Sequence, residues 1–346
     1  MLARATPPAP APLQVLDARP TTVGGFGATR YRLYREHVLT GDVDVDRAFS
    51  TFDALVVAPP GRPDAAAVTV LNGITKGMER SVPAAAALVR AGVGAVLFDT
   101  PLGGRRRVTA AGHSGNDLVE LGRRGIALDV PFTERLFAGV TADVPAVLDL
   151  ADREHGLGRG GRRALFGVSF GCLLSATAFA RDGVGARFFG AIGHPDLAAM
   201  SRGLLAGFTR FSGLPAAVVA GGLRLGPVAE TAARRVGGEP AVGALRLARL
   251  LQTLGRGGRT VAAFDPLSFA DRAGAGRPAF FLAGEADPVA PPADVRASAA
   301  AFARSEVEVV SALGHGWYPG ARPAGAPSFE AACGRWLVRH LADWTD

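Results

Sequence analysis

The sequence predicts an α/β fold with a doubly wound, mostly parallel sheet. Three observations carry this. Short apolar runs recur along the chain, helical patterns separate them, and from the third run onward the apolar stretches are nearly continuous. A strand with one wet face alternates apolar and polar residues, whereas a strand covered on both faces does not alternate. Strand–helix alternation then implies right-handed crossovers, with helices on both faces of the sheet.

Eight runs are strand candidates: residues 28–40, 52–58, 66–71, 94–98, 163–167, 188–192, 279–283 and 307–311. The first, ATRYRLYREHVLT, alternates and suits an edge. Helical patterns cover 82–91, 134–155, 172–181, 293–303 and 329–342. The opening MLARATPPAPAP is rich in Pro and Ala and lacks the apolar h-region of a signal peptide, so residues 1–20 are expected to be a disordered tail. The sixth and seventh runs lie much further apart than a crossover requires. Residues 197–262 are therefore expected to form a helical cap inserted into a core of 21–196 and 263–346. Residues 103–130 read as a second, irregular loop.

The composition narrows the function. The 346 residues are 48% hydrophobic and 20% charged, enough apolar material for a large core. The formal charge is +7, but Lys76 is the only lysine and the arginines are scattered instead of clustered with aromatics, so nucleic acid is not an expected partner. No apolar run is long enough to cross a bilayer, and a cytoplasmic protein without stable membrane insertion is expected. Two cysteines, Cys172 and Cys333, exclude a disulfide framework. No metal-ligand spacing is present, and no cofactor is expected. A homo-oligomer remains open.

Gly167-Val168-Ser169-Phe170-Gly171 is a G-x-S-x-G. In a glycine-rich chain the motif alone is a weak signal. Its context is stronger, because it follows the apolar run RALF and opens the apolar pattern CLLSATAFA. Strand, sharp turn and helix are the setting in which a serine hydroxyl is pushed above the carboxyl edge of the sheet. Ser114, in Gly-His-Ser-Gly, has no preceding strand and lacks the last glycine of the motif.

A serine hydroxyl needs a base. His315 follows the eighth run and emerges at the carboxyl edge; His194, after the sixth, is its main rival and, before Pro195, suits the start of the insertion. The base in turn needs an acid. Asp287, after the seventh run, is the candidate, with Asp196 and Glu285 as alternatives. The order Ser169, Asp287, His315 is that of one of the three common triads. The oxyanion needs two backbone donors. Phe170 N–H is one; Ile74 N–H is the candidate for the other, with Gly73 permitting close approach. Asn72 is a candidate for organising that loop or for contacting substrate.

Together these residues resemble the α/β-hydrolase superfamily, over roughly residues 28–346. The loop Asp99-Thr100-Pro101-Leu102-Gly103-Gly104 resembles the D-x-P-x-x-G that many members carry after the fourth strand. Many members have His-Gly after the third strand, where this chain has Asn72-Gly73. The resemblance implies an eight-stranded α/β-hydrolase sheet with a cap between strands six and seven. It also implies a serine esterase that forms an acyl-enzyme on Ser169 with a hydrophobic small-molecule carboxylic ester or thioester as substrate. Acyl transfer, peptidase activity and non-catalytic ligand binding remain alternatives on the same scaffold. The insertion carries Met200, Leu204, Leu205, Phe208 and Phe211, so a hydrophobic pocket roof is expected, with Phe208 and Phe211 on the substrate. Its glycines, Gly203 among them, suit a movable lid. Arg105, Arg106 and Arg107 are read as a solvated turn, with an anionic substrate group as the alternative.

Overall fold

The structure is a computed structural model; it describes residues 11–74, 76–108, 117–207, 223, 227–274, 276–311, 313–315 and 328–345. Among these, nine strands form one sheet: β1 (Gln14–Val23), β2 (Phe26–Tyr34), β3 (Thr51–Val57), β4 (Ala67–Leu71), β5 (Gly94–Phe98), β6 (Arg163–Val168), β7 (Arg187–Ala191), β8 (Ala279–Gly284) and β9 (Ser305–Val310). Their order is β1-β2-β3-β5-β4-β6-β7-β8-β9. The first three pairings are antiparallel. From β5 through β4, β6, β7 and β8 to β9 the strands run parallel. The helices are α1 (Val43–Ser50), α2 (Val82–Arg90), α3 (Asp117–Arg123), α4 (Val130–His155), α5 (Phe170–Ala180), α6 (Leu197–Ala206), α7 (Pro227–Gly255), α8 (Pro292–Ala299) and α9 (Phe329–His340).

The sheet has one strand more than the eight expected, and the tail expected over residues 1–20 is strand from Gln14 onward. The reason is physical. In β1 only Val23 is buried, so no apolar alternation marks the strand, and Pro20 is tolerated because β1 is an edge. Its register with β2 holds it in place. Helix α1 is hidden by a strand-like Val-Asp-Val-Asp alternation. Asp42 caps it, accepting from Asp44 N and Val45 N, and Val45 and Phe49, four apart, bury one face.

Two apolar layers sandwich the sheet. In β6, Ala164 and Phe166 belong to the layer under α2 and α9, with Ala85, Leu88, Trp336 and Leu337. Leu165, between them, belongs to the opposite layer with Val144 of α4 and Leu173 of α5. This period-two split puts both faces of a parallel strand in the core.

Helices α6 and α7 lie between β7 and β8, and α7 breaks at Gly238 (φ 66°). They are fastened closely. Leu247, Leu250, Leu251 and Leu254 of α7 share the apolar cluster of α4 and α5. At Gly122 of α3 an added Cβ would stand 2.9 Å from the Cα of Gly243 in α7, so these helices cross backbone against backbone. A Cβ on Gly203 would stand 2.3 Å from the carbonyl oxygen of Val289. The absence of a side chain at Gly203 lets α6 pack against the loop after β8. Among the described residues no helix is long and apolar enough to cross a membrane.

Asp265 accepts from the N–H of Leu197, which opens α6, at 3.2 Å. Burial, aided by the Asp196 charge, pushes its carboxyl up to about 6 from an ordinary 3.8. A raised carboxyl is harmless below the unfolded-state value and costs stability as pH rises through the folded one. Asp265→Asn, which keeps the acceptor, is therefore expected to raise the melting temperature at about pH 8 through a gain of up to about 3 kcal/mol, and to leave it unchanged near pH 4. Thermal unfolding at the two pH values checks this.

Candidate active site

The carboxyl ends of β4, β6, β8 and β9 converge on Ser169. Strand β6 passes into α5 through this one residue, whose φ of 54° and ψ of −118° are strained for a residue with a side chain. Two glycines allow the turn. A Cβ on Gly167 would stand 2.2 Å from the Gly171 carbonyl oxygen, and one on Gly171 would stand 2.2 Å from that of Leu71. The G-x-S-x-G spacing is thus the spacing at which the strand, the helix and the end of β4 touch.

Ser169 Oγ lies 2.7 Å from His315 Nε2. His315 Nδ1 lies 3.1 and 3.0 Å from Asp287 Oδ1 and Oδ2. Asp287 is buried, and its Oδ1 also accepts from Val289 N at 2.8 Å and Ala290 N at 3.0 Å. The structure therefore joins hydroxyl, imidazole and carboxylate in one line, which can pass the hydroxyl proton to the ring.

Gly73, after β4, lies against the serine: a Cβ there would stand 3.3 Å from Ser169 Cβ and 3.7 Å from its Oγ. Phe170 opens α5, so its N–H is one that the helix itself leaves without a partner. Ile74 follows Gly73 and packs with Phe170, Leu118 and Leu102 in a small apolar cluster.

No family profile and no curated protein sequence matches the chain. Solved structures do. Acetyl xylan esterase 1 from Thermoanaerobacterium superposes with a TM-score of 0.56 at 16% identity, covering 95% of this chain and 88% of that one. An acetyl xylan esterase from Paenibacillus gives 0.53 at 15% identity, over 96% and 89%. A cold-adapted esterase from an Arctic intertidal metagenomic library gives 0.52 at 12%, over 94% and 97%.

The chain has the α/β-hydrolase fold.

Within this α/β-hydrolase fold the other candidates fall elsewhere. Asp196 caps α6, accepting from Ala199 N at 2.8 Å. Glu285 is exposed. Of the remaining histidines among the described residues, His37 sits on Asp143, His155 on the Tyr31 hydroxyl, and His340 on the Phe280 ring. His194 is fully buried. Asn72 needs correcting as a substrate contact. It is buried, donates to Gly77 O at 2.9 Å and accepts from the Ser81 hydroxyl, so its amide shapes the loop after β4. Phe208 and Phe211 lie outside the described residues.

The middle one of the three arginines departs from the expectation of a solvated turn. Arg106 is wholly buried, bonded to Asp143 Oδ2 at 2.7 Å, with its guanidinium 3.7 Å from the centre of the Phe52 ring. Arg105 pairs with Asp53 at 3.2 Å and Arg107 with Asp117 at 3.4 Å. Burial opposes a charge on Asp143, but Arg106 and His37 outweigh it and hold the carboxyl below its ordinary range. Arg106→Met leaves that buried charge short of its main partner and is expected to cost about 3 kcal/mol, read by urea unfolding. Asp99 was legible only as part of a loop motif. It is buried, accepting from Met78 N at 3.1 Å and Arg105 N at 3.0 Å, and so ties the loop after β5 to the one after β4 that carries Gly73 and Ile74.

Proposed function

We propose that this protein is a serine hydrolase that cleaves carboxylic esters of hydrophobic small molecules through an acyl-enzyme on Ser169. The observation that carries the reading is the unbroken chain Ser169–His315–Asp287 with a strained serine at the carboxyl edge of the sheet. That the structural neighbours named above are esterases supports the class.

Ser169 Oγ attacks the ester carbonyl carbon while its proton passes to His315 Nε2. The imidazolium that forms donates through Nδ1 to Asp287, which is already held by two backbone N–H groups. The carbonyl oxygen becomes an oxyanion and accepts from the N–H groups of Phe170 and Ile74. His315 then gives its proton to the leaving alkoxide, the carbon–oxygen bond breaks, and the acyl-enzyme remains. Water, deprotonated by the same ring, attacks the acyl carbon, and the carboxylic acid leaves as Ser169 recovers its proton.

Apolar side chains on the loop after β4, on α3, at the start of α5 and on α6 support the substrate class. Ile74, Leu118 and Phe170 are partly buried on the cluster of Leu102 and Val108, and Leu204 and Leu205 of α6 are partly buried against the core. Apolar surface favours an apolar ligand by about 25 cal/mol per Å² buried. A panel of p-nitrophenyl esters from acetate to laurate tests the reading. Turnover is expected to favour short and medium acyl chains. No turnover across the panel, by folded protein, would overturn it.

A further inference from the structure

The turn after β7 contains the most isolated polar ring near the triad. His194 has no exposed surface, and among the described residues neither ring nitrogen has a hydrogen-bond partner. A polar group left in that state is costly, and native structures keep few of them. The backbone leading to it is strained as well. Ile192 has a φ of 41°, an outlier for a β-branched residue, and its N–H is tied to Leu282 O of β8 at 2.8 Å. Gly193 presses on the elbow, since a Cβ there would stand 2.7 Å from the Ser169 carbonyl oxygen. Strain of this kind persists where the surrounding structure over-determines it, and it clusters at functional sites.

The surroundings of the ring are acidic. The charges acting on it are the carboxylates of Asp196, Asp294 and Asp287 and the guanidinium of Arg202. Burial nevertheless holds the imidazole below its ordinary range, so it is neutral, with one donor and one acceptor nitrogen. Of the three carboxylates, Asp196 is used in capping α6, whereas Asp287 Oδ2 has, among the described residues, only His315 as a donor. An ionised carboxylate oxygen has room for a second.

We propose that His194 is a positioning residue of the triad, its ring N–H serving, across one bridging water, as the second donor to Asp287 Oδ2. The ring then links the turn beside the nucleophile to the loop that carries the acid, and fixes Asp287 where His315 meets it. This inference rests on the Ser169–His315–Asp287 reading and adds a fourth side chain to it.

The test compares His194→Leu and His194→Phe, which have no donor, with His194→Asn and His194→Gln, which place an amide where Nδ1 or Nε2 stands. Each folded variant is measured for kcat, KM, the pH profile of kcat/KM and the rate at which a fluorophosphonate probe labels Ser169. The apolar variants are expected to lose about 10- to 100-fold in kcat and in labelling rate, with KM little changed, as a slightly misplaced catalytic group does. Their acid limb should move to lower pH, because an ill-held Asp287 stabilises the His315 imidazolium less. At least one amide variant should recover most of the loss and restore the limb. Apolar variants with wild-type kcat and limb, or all four variants impaired alike in step with their melting temperatures, would overturn the proposal and leave His194 as packing. Wild-type protein that the probe does not label would instead overturn the triad itself, and this proposal with it.

Discussion

Ser169→Ala is expected to lower ester turnover by about 10⁴- to 10⁶-fold while the protein stays folded. The magnitude follows from where the hydroxyl stands. Its Oγ is 2.7 Å from the only base that the structure places on it among the described residues, and its backbone holds it above the sheet at a φ of 54°. Alanine removes the bond-forming atom and leaves the Gly167 and Gly171 contacts of the elbow untouched. Substrate binding should therefore survive. Steady-state hydrolysis of a p-nitrophenyl ester, with circular dichroism as the control, measures the effect. Near-full activity in folded Ser169→Ala would remove the serine from the chemistry.

His315→Ala is expected to be nearly as damaging, because members of a triad act as a unit and their losses do not add. Asp287→Asn separates orientation from charge. The asparagine fills the same volume and still accepts from Val289 N and Ala290 N, but it presents an amide to His315 Nδ1 and favours the wrong tautomer. In the worked serine-protease case that change costs about 10⁴ in kcat, and a loss of that order with KM little changed is expected here. The comparison variant is Asp196→Asn. Because Asp196 caps α6, it should weaken stability modestly and leave turnover within a few-fold. A crippling Asp196→Asn beside a mild Asp287→Asn would transfer the role of acid to the end of β7.

How much of this was legible in the sequence depends on how local the signal is. Strands β4 to β8 could be read within a residue or two because, buried on both faces, each is a short apolar run between breakers. Strand β1 could not, since an edge strand exposed on nearly its whole length has no hydrophobic period and is held by backbone pairing alone. The serine was legible because the elbow is a local device whose glycines are demanded within five consecutive residues. The acid and base were legible as positions following strands, but not as a bonded pair. His315 and Asp287 lie 28 residues apart and meet only because β8 and β9 are neighbours in the sheet.

Other features depended on partners far along the chain. Three consecutive arginines read as a solvated turn, and only Asp143, on α4, decides that the middle one is buried. Asn72 offered a side chain to the pocket on paper, and Ser81 and Gly77 take it away. Glycines in the helical segment read as flexibility. Gly203, one of these, and also Gly122 of α3 and Gly243 of α7, are points of close contact, where a side chain would force backbones apart. Such contacts bind α6 to the acid loop and α7 to α3.

The central claim is a covalent acyl-enzyme on Ser169, and rapid mixing with p-nitrophenyl acetate tests it most directly. The account predicts a burst of p-nitrophenolate approaching one equivalent per chain when deacylation is slowed at low pH, with an added acetyl group found on the peptide carrying Ser169 by mass spectrometry of the quenched protein. Ester hydrolysis with no burst and no acetyl on Ser169, or an acetyl group on another residue that turns over at the steady-state rate, would contradict it.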